Sequence, residues 1–344
     1  MLSIEIFLLA SAFSLSAFFT GLMRIYARRA NLLDVPNRRS SHQIATPRGG
    51  GLAVVIVFLG AVASLYALGK LPAAMLSAFW VGGLLIAGVG FIDDHRDLSA
   101  RTRFSVQLIA ATFAVVVLGG GAEIQIGTRL FDLGIFGDML AIIFLVWFIN
   151  LYNFMDGIDG LASAEALSIA ISALIVSTTD SNEITSSLLA IIAGSALGFL
   201  VWNWPPAKIF MGDVGSGFFG FIIAVLAIIS SNQGGLSIWC WLILAGVFVV
   251  DATITLVTRF IQGEQWYSAH KSHAYQKASR LLSSHRPVTL IVLMINLCWL
   301  LPIAWFASDR PESGWWLTLV AWIPLAILSM LLKAGRPDAG SLST

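Results

Sequence analysis

Four short strings bring acidic and imidazole side chains together at close spacing. They are Phe91-Ile92-Asp93-Asp94-His95-Arg96-Asp97, Asn150-Leu151-Tyr152-Asn153-Phe154-Met155-Asp156-Gly157-Ile158-Asp159-Gly160, Met211-Gly212-Asp213-Val214-Gly215-Ser216-Gly217 and His270-Lys271-Ser272-His273-Ala274-Tyr275. Each abuts an apolar run. Carboxylates crowded beside a low-dielectric medium repel one another, so Asp93, Asp94, Asp156, Asp159 and Asp213 need a cation or hydrogen-bond donors among them. Oxygen ligands without cysteine suit a hard ion, Mg²⁺, with Mn²⁺ as a substitute. Asp213 lies between glycines where an apolar run begins. The backbone N–H groups of Val214-Gly215-Ser216 are therefore expected to be open to a phosphate oxygen. Arg48, Arg101, Arg103, Lys208 and Lys271 supply further charge for phosphate. His270 and His273, three apart, share a helix face. With no third soft ligand, phosphate or nucleotide contact is expected of them rather than zinc. A lone Asp-Asp at a helix end, or a lone Asp-Gly-x-Asp-Gly, is more often a solvated cap or turn. Four such strings in a chain with only 11% charged residues are not explained that way.

The elements that must hold these strings are membrane helices. The chain is 58% hydrophobic, and a charged fraction this far below the usual quarter leaves too little polar surface for a soluble fold. Apolar runs of near-spanning length occur at Ile4–Met23, Gly51–Leu68, Ala73–Ile92, Phe104–Leu118, Ile135–Leu151, Leu161–Val176, Ile184–Trp202, Gly215–Ile229, Leu236–Val257, Val288–Phe306 and Trp315–Leu332. The expected fold is an all-α polytopic membrane protein of about eleven spans, a single domain over residues 1–344. Alternating the loops puts only Lys70, Arg129 and Arg310 on one side and the other 17 of 20 basic residues on the opposite one. By the positive-inside rule the basic side is cytoplasmic, with the N-terminus outside and the C-terminus inside. All four strings and all five histidines fall on that side. Ile4–Met23 lacks a preceding basic segment, so it reads as a first span and not a signal peptide. The outer segment Gly119–Gly134 alternates in polarity and predicts a small hairpin. Cys240 and Cys298 sit in apolar runs and read as small buried hydrophobes. No Lys/Arg block suits nucleic acid.

The strings also carry a resemblance. Asp93-Asp94, Asn150 through Ala162, the run from Asn203 through Pro205-Pro206-Ala207-Lys208-Ile209-Phe210-Met211-Gly212-Asp213-Val214-Gly215-Ser216, and His270-Lys271-Ser272-His273-Ala274-Tyr275 resemble the polyprenyl-phosphate N-acetylhexosamine-1-phosphate transferases. Pro36, Arg38, His42 and Thr46-Pro47-Arg48-Gly49-Gly50 extend the match, which spans nearly the whole chain. The resemblance implies transfer of a sugar-1-phosphate from a UDP-N-acetylhexosamine to undecaprenyl phosphate, with release of UMP and a Mg²⁺ requirement, at the inner face of the bacterial cytoplasmic membrane. It implies that Asn153 and Asp213 hold the metal, and that Asp93 and Asp94 lie near the lipid phosphate, one of them as a base. Asp156 and Asp159 would be further active-site acids, Asn203 a nucleotide-side residue, and His270 and His273 the grip on the donor diphosphate. The peptidoglycan-precursor branch has consecutive histidines and one span fewer. The split pair here resembles the branch that starts O-antigen and related surface polysaccharides. Monomer and homodimer both remain open.

Two rivals have different signatures. An ion-coupled transporter would use intramembrane acids such as Glu165 and Asp251, but would centre them at the bilayer midplane in paired repeats. A CDP-alcohol phosphotransferase would show a dense Asp-Gly and Ala-Arg run that is missing from this sequence.

Overall fold

The computed structural model describes residues 2–35, 45–121, 123–177, 183–264 and 270–337. Pro36, Arg38 and His42, part of the first-loop resemblance, lie outside the described residues. Thirteen helices account for most of the rest: α1 (Leu2–Arg29), α2 (Gly51–Ala67), α3 (Ala73–His95), α4 (Ala100–Leu118), α5 (Ile135–Met155), α6 (Leu161–Val176), α7 (Glu183–Asn203), α8 (Asp213–Asn232), α9 (Ile238–Leu244), α10 (Gly246–Ile261), α11 (Ala274–Leu281), α12 (His285–Asp309) and α13 (Gly314–Leu331). In a bilayer the backbone must bond to itself, which is why long apolar segments become helices.

Each of the eleven expected spans is helical. Among the described residues, eight helices are long and apolar enough to cross a membrane, while α2 and α6 are shorter apolar helices. The expected span Leu236–Val257 differs. It is two helices, α9 and α10, bent by 78° at Ala245. At the bend the indole of Trp322 donates to Leu242 O at 3.0 Å, occupying a carbonyl at the end of α9. Gly246 lies against Leu300 and Trp322, so a larger residue would push the two helices away from α12 and α13.

The central helix is α8, almost wholly buried among α2, α3 and α5. It approaches α2 through glycine on glycine, since a Cβ on Gly51 would lie 2.3 Å from Gly215 Cα. Small residues at such crossings let membrane helices touch backbone to backbone. The predicted hairpin is present as β3 (Ile124–Ile126) paired antiparallel with β4 (Arg129–Phe131), following a two-residue pair, β1 (Leu33–Asp34) and β2 (Thr46–Pro47). Cys240 is buried as expected; Cys298 is exposed on the bundle surface. Large exposed apolar side chains cover the outside of α1, α4, α5, α12 and α13, the surface that lipid tails would cover.

Candidate functional site

The acidic strings meet at one end of the bundle because the loops are fastened to one another through backbone bonds. Phe210 N donates to Pro47 O at 2.8 Å, and Gly50 N and Gly51 N donate to Phe210 O and Met211 O, each at 2.9 Å. The first loop is thus zipped onto the segment that leads into Asp213.

Asp94 sits at the end of α3, 6% exposed, and its carboxylate caps α8. Asp213 N donates to Oδ1 at 3.0 Å and Val214 N to Oδ2 at 3.2 Å. The N-terminus of α8, expected to be open to a phosphate, is filled by a carboxylate of the protein itself. The reason is electrostatic: a helix start presents unpaired N–H donors and partial positive charge, and a buried acid needs both. Each oxygen thus accepts one backbone hydrogen bond from the start of α8. Gly212 makes the arrangement feasible. Its φ of +76° suits glycine, and a Cβ there would lie 2.5 Å from Asp94 Oδ2.

Asp93 is also paired. Leu98 N donates to Oδ1 at 2.7 Å and Arg103 Nη1 to Oδ2 at 2.7 Å. Arg103, which the sequence suggests for phosphate, stands between two acids, with Nη1 3.6 Å from Asp213 Oδ2. Asn153 reaches the same helix from α5, its Nδ2 donating to Ser216 Oγ at 3.2 Å. Asp156 follows at the end of α5. Burial, together with the charges of Asp213, Asp94 and Asp159, pushes its carboxyl well above the usual carboxylate range. Arg48 acts on Asp94 at longer range. Arg101 is exposed at the site's edge.

Asp159 and Asn203 turn inward. Asp159 Oδ2 accepts from Ala207 N at 3.0 Å, its Oδ1 is 3.3 Å from His285 Nδ1, and its carbonyl accepts from Thr289 Oγ1 at 3.1 Å. Asn203, 3% exposed, accepts from Gly160 N at 2.9 Å and donates to Ile209 O at 3.0 Å. Its amide is thus engaged by the protein on both sides. These two residues lash the loops 156–160 and 203–212 together. Lys208 lies over the Trp202 ring, 5.7 Å from its centroid.

The histidine string packs against the acid loop. Tyr275 Oη donates to Phe154 O at 2.9 Å. His273 is 2% exposed, with its ring stacked beneath His270 at 4.8 Å between centroids. His270 is the more open of the two. Burial and the neighbouring His273 and Arg259 hold its imidazole down to about 3, so it is neutral. Sequence reasoning left Gln107 without a site role, gave Asp251 one only in the transporter reading, and placed Tyr275 in the histidine string without a role of its own. Asp251 meets His273, while Gln107 Oε1 accepts from Asn150 Nδ2 at 2.7 Å. For Asp251 and Gln107 the signal is a charged or amide group placed in an apolar run. Glu165, the other intramembrane acid, is joined to Asn296 Nδ2 at 2.6 Å, deep in the bundle.

An apolar groove of about 1050 Å³ reaches this end of the bundle. Phe104, Leu108, Ile143, Val146, Trp147 and Leu256 form much of its wall, and Arg101 and Arg103 stand at its polar end. Arg103, Asn150 and Phe154 also line a small adjoining cavity with Asn153 and Asp213. Lipid-facing apolar wall and acid cluster are therefore contiguous.

Among the described residues, no three His, Cys, Asp or Glu side chains form a ready-made metal cage. The donor chemistry still fits Mg²⁺, which takes one or two carboxylates and leaves other positions to phosphate and water. Asp156 and Asp213 carry like charges that repel each other, and Asn153 offers an amide oxygen beside Asp213.

Helices fit to span a bilayer, with an acid cluster at one rim and a groove leading to it, define a polytopic membrane enzyme class. Residues 76–231 match the model of glycosyl transferase family 4. The chain belongs to the polyprenyl-phosphate N-acetylhexosamine-1-phosphate transferases. It is 31% identical, over 80% of its length and 78% of the relative's, to a probable undecaprenyl-phosphate N-acetylglucosaminyl 1-phosphate transferase of Bacillus subtilis (strain 168). It is 30% identical to a decaprenyl-phosphate N-acetylglucosaminephosphotransferase of Mycobacterium tuberculosis (strain ATCC 25618 / H37Rv), covering 92% of this chain and 87% of that one. A phospho-N-acetylmuramoyl-pentapeptide-transferase of Lactococcus lactis subsp. cremoris (strain MG1363) is 33% identical over 62% of this chain and 67% of its own.

Proposed function

We propose that the protein transfers an N-acetylhexosamine 1-phosphate from a UDP-sugar to undecaprenyl phosphate at the cytoplasmic face of the bacterial inner membrane. The single observation that supports this most is the continuity of the apolar groove with the Arg103, Asn153 and Asp213 cluster. A polyprenyl chain suits the groove, and its phosphate would then lie beside Arg101 and Arg103. The orientation rests on the basic-residue asymmetry, with the acid-bearing end inside.

In the reaction, a lipid phosphate oxygen attacks the sugar-bearing phosphorus of the donor. A new P–O–P bond forms, the bridging P–O bond of the donor diphosphate breaks, and UMP leaves with that bridging oxygen. A phosphate monoester has its second pKa near 6, so the nucleophile is already ionised at neutral pH and a strong base is unnecessary. Positioning and charge neutralisation then carry most of the catalysis. This agrees with an Asp93 tied to Arg103 and an Asp94 that caps α8, both of them positioning residues. Asp213, Asp156 and Asn153 would hold Mg²⁺, which supplies positive charge to the donor diphosphate. His270, the outer imidazole, is the better placed of the pair to meet the donor.

The relatives from B. subtilis and M. tuberculosis are named for N-acetylglucosamine, and that sugar is the first donor to try. The split histidine string favours initiation of O-antigen or a related surface polysaccharide over a peptidoglycan precursor. The deciding assay uses purified protein, undecaprenyl phosphate and a panel of UDP-N-acetylhexosamines, with UMP release and lipid-linked product as readouts. Activity should vanish with EDTA and return with Mg²⁺ or Mn²⁺. Absence of UMP release with every donor, or full activity in EDTA, would overturn the proposal.

A further inference from the structure

Asp251 is an acid in the middle of an apolar helix with no part in the chemistry above. It lies in α10, 4% exposed, and a lone carboxylate there is costly. Its environment shows what it does. Oδ1 accepts from Ala274 N at 2.9 Å, from Thr255 Oγ1 at 3.0 Å and from the His273 ring at 3.3 Å. Oδ2 accepts from Tyr275 N at 2.9 Å. One side chain thus caps the first turn of α11 and fixes the imidazole that begins it.

We propose that Asp251 is the positioning residue for the donor-binding loop, tying it to the helix that walls the lipid groove. Three features carry this. First, a carboxylate only accepts, so His273 must present Nδ1–H to it. That bond orients the ring and fixes the plane on which His270 stacks. Second, the capped turn carries Tyr275, whose hydroxyl holds the carbonyl of Phe154 in the acid loop. Third, Leu256 of the same helix lines the apolar groove that Phe154 also lines. The backbone of α10 therefore links the wall of the lipid groove to the histidine loop. The 78° bend that precedes α10 brings an acid from an apolar segment to this loop. The role in donor binding rests on the transfer reaction proposed above; the role in holding the loop does not.

The test uses the full chain in lipid nanodiscs and two readouts, steady-state kinetics and amide hydrogen exchange. Asp251→Asn keeps the size but offers one acceptor oxygen in place of two and removes the charge. Its donor KM should rise about tenfold or more, the scale of a lost charge-assisted hydrogen bond, with the undecaprenyl phosphate KM within about twofold of wild type. Exchange should speed up in residues 270–281 and stay unchanged in α8. Thr255→Val removes one donor to Oδ1, keeps the charge and should shift the same two readouts in the same direction by less. If Asp251→Asn does not survive purification, Thr255→Val decides. Unchanged exchange at 270–281 in the folded variants would overturn the positioning role. Equal rises in both KM values would do so too. A wild-type protein inactive with every UDP-sugar would overturn the transfer reaction alone, since the exchange readout still reports on the loop.

Discussion

Asp94→Asn separates two accounts of the acid pair. If Asp94 is a base, the asparagine variant loses activity but stays as stable as wild type. If Asp94 is the cap of α8, the variant loses both. The carboxylate accepts from Asp213 N and Val214 N, one on each oxygen. An amide has one acceptor oxygen, so its NH₂ must face one of those N–H donors. Losing a hydrogen bond to a charged group costs about 1.5–3 kcal/mol. Losing a negative charge at a helix N-terminus adds about 0.3–1 kcal/mol, rising towards 2 in a partly buried site. The expected cost is therefore about 2–4 kcal/mol, felt where Asp213 is held. Thermal unfolding in detergent should fall by several degrees, and transfer should drop by about a hundredfold or more as Asp213 shifts. Gly212→Ala attacks the same contact from the other side, because the added Cβ would press on the Asp94 carboxylate at 2.5 Å. It should reproduce both losses. A stably folded Asp94→Asn protein with wild-type unfolding temperature would refute the capping account, whatever its activity.

Asp213→Asn should fold and insert normally yet lose transfer by about a hundredfold or more, with partial recovery at high Mg²⁺; titrating rate against Mg²⁺ beside a thermal scan checks it. Asn203→Leu strips two buried hydrogen bonds that join the loops around Gly160 and Ile209, and should cost about 2–4 kcal/mol. Its unfolding temperature should fall, while a change confined to donor KM would mean a nucleotide contact instead. His270 titrates near 3 in the fold against an ordinary 6.5, so between those values the unfolded chain binds the extra proton. Stability should therefore be full above about pH 6.5 and fall as pH drops towards 3. His270→Gln should flatten the decline in unfolding temperature between pH 7 and pH 5, and an unaltered slope would count against it. Reporter fusions should put Asp94, Asn153, Asp213 and His273 on the cytoplasmic side and Lys70, Arg129 and Arg310 on the other. Two of the first group outside would overturn the orientation.

What the sequence determined by itself was the solvent, the segments and the chemistry. The length and apolarity of a spanning helix are local properties, so every one of the eleven runs is helical. The hairpin near Gly127 was legible for the same reason, because alternation is written into consecutive residues. The set Asp93, Asn153, Asp156 and Asp213 was legible as a cluster because each lies at the end of an apolar run, and loop alternation assigns those ends to one side. Only the tertiary structure decided what each carboxylate does. Asp94 looks like a reactive acid in one dimension; in the fold its carboxylate meets the N–H groups of 213 and 214, 119 and 120 residues away. Asn203, which the resemblance sets on the nucleotide side, bridges Gly160 and Ile209 in the fold. Asp251, an unexplained acid in a membrane run, holds the histidine loop across 22 to 24 residues. At the break beside Ala245 the carbonyl of Leu242 is met by Trp322, on a different helix altogether. Hydropathy and spacing report what a residue needs from its solvent; the donor that satisfies it comes from wherever the chain returns, and that is set by packing.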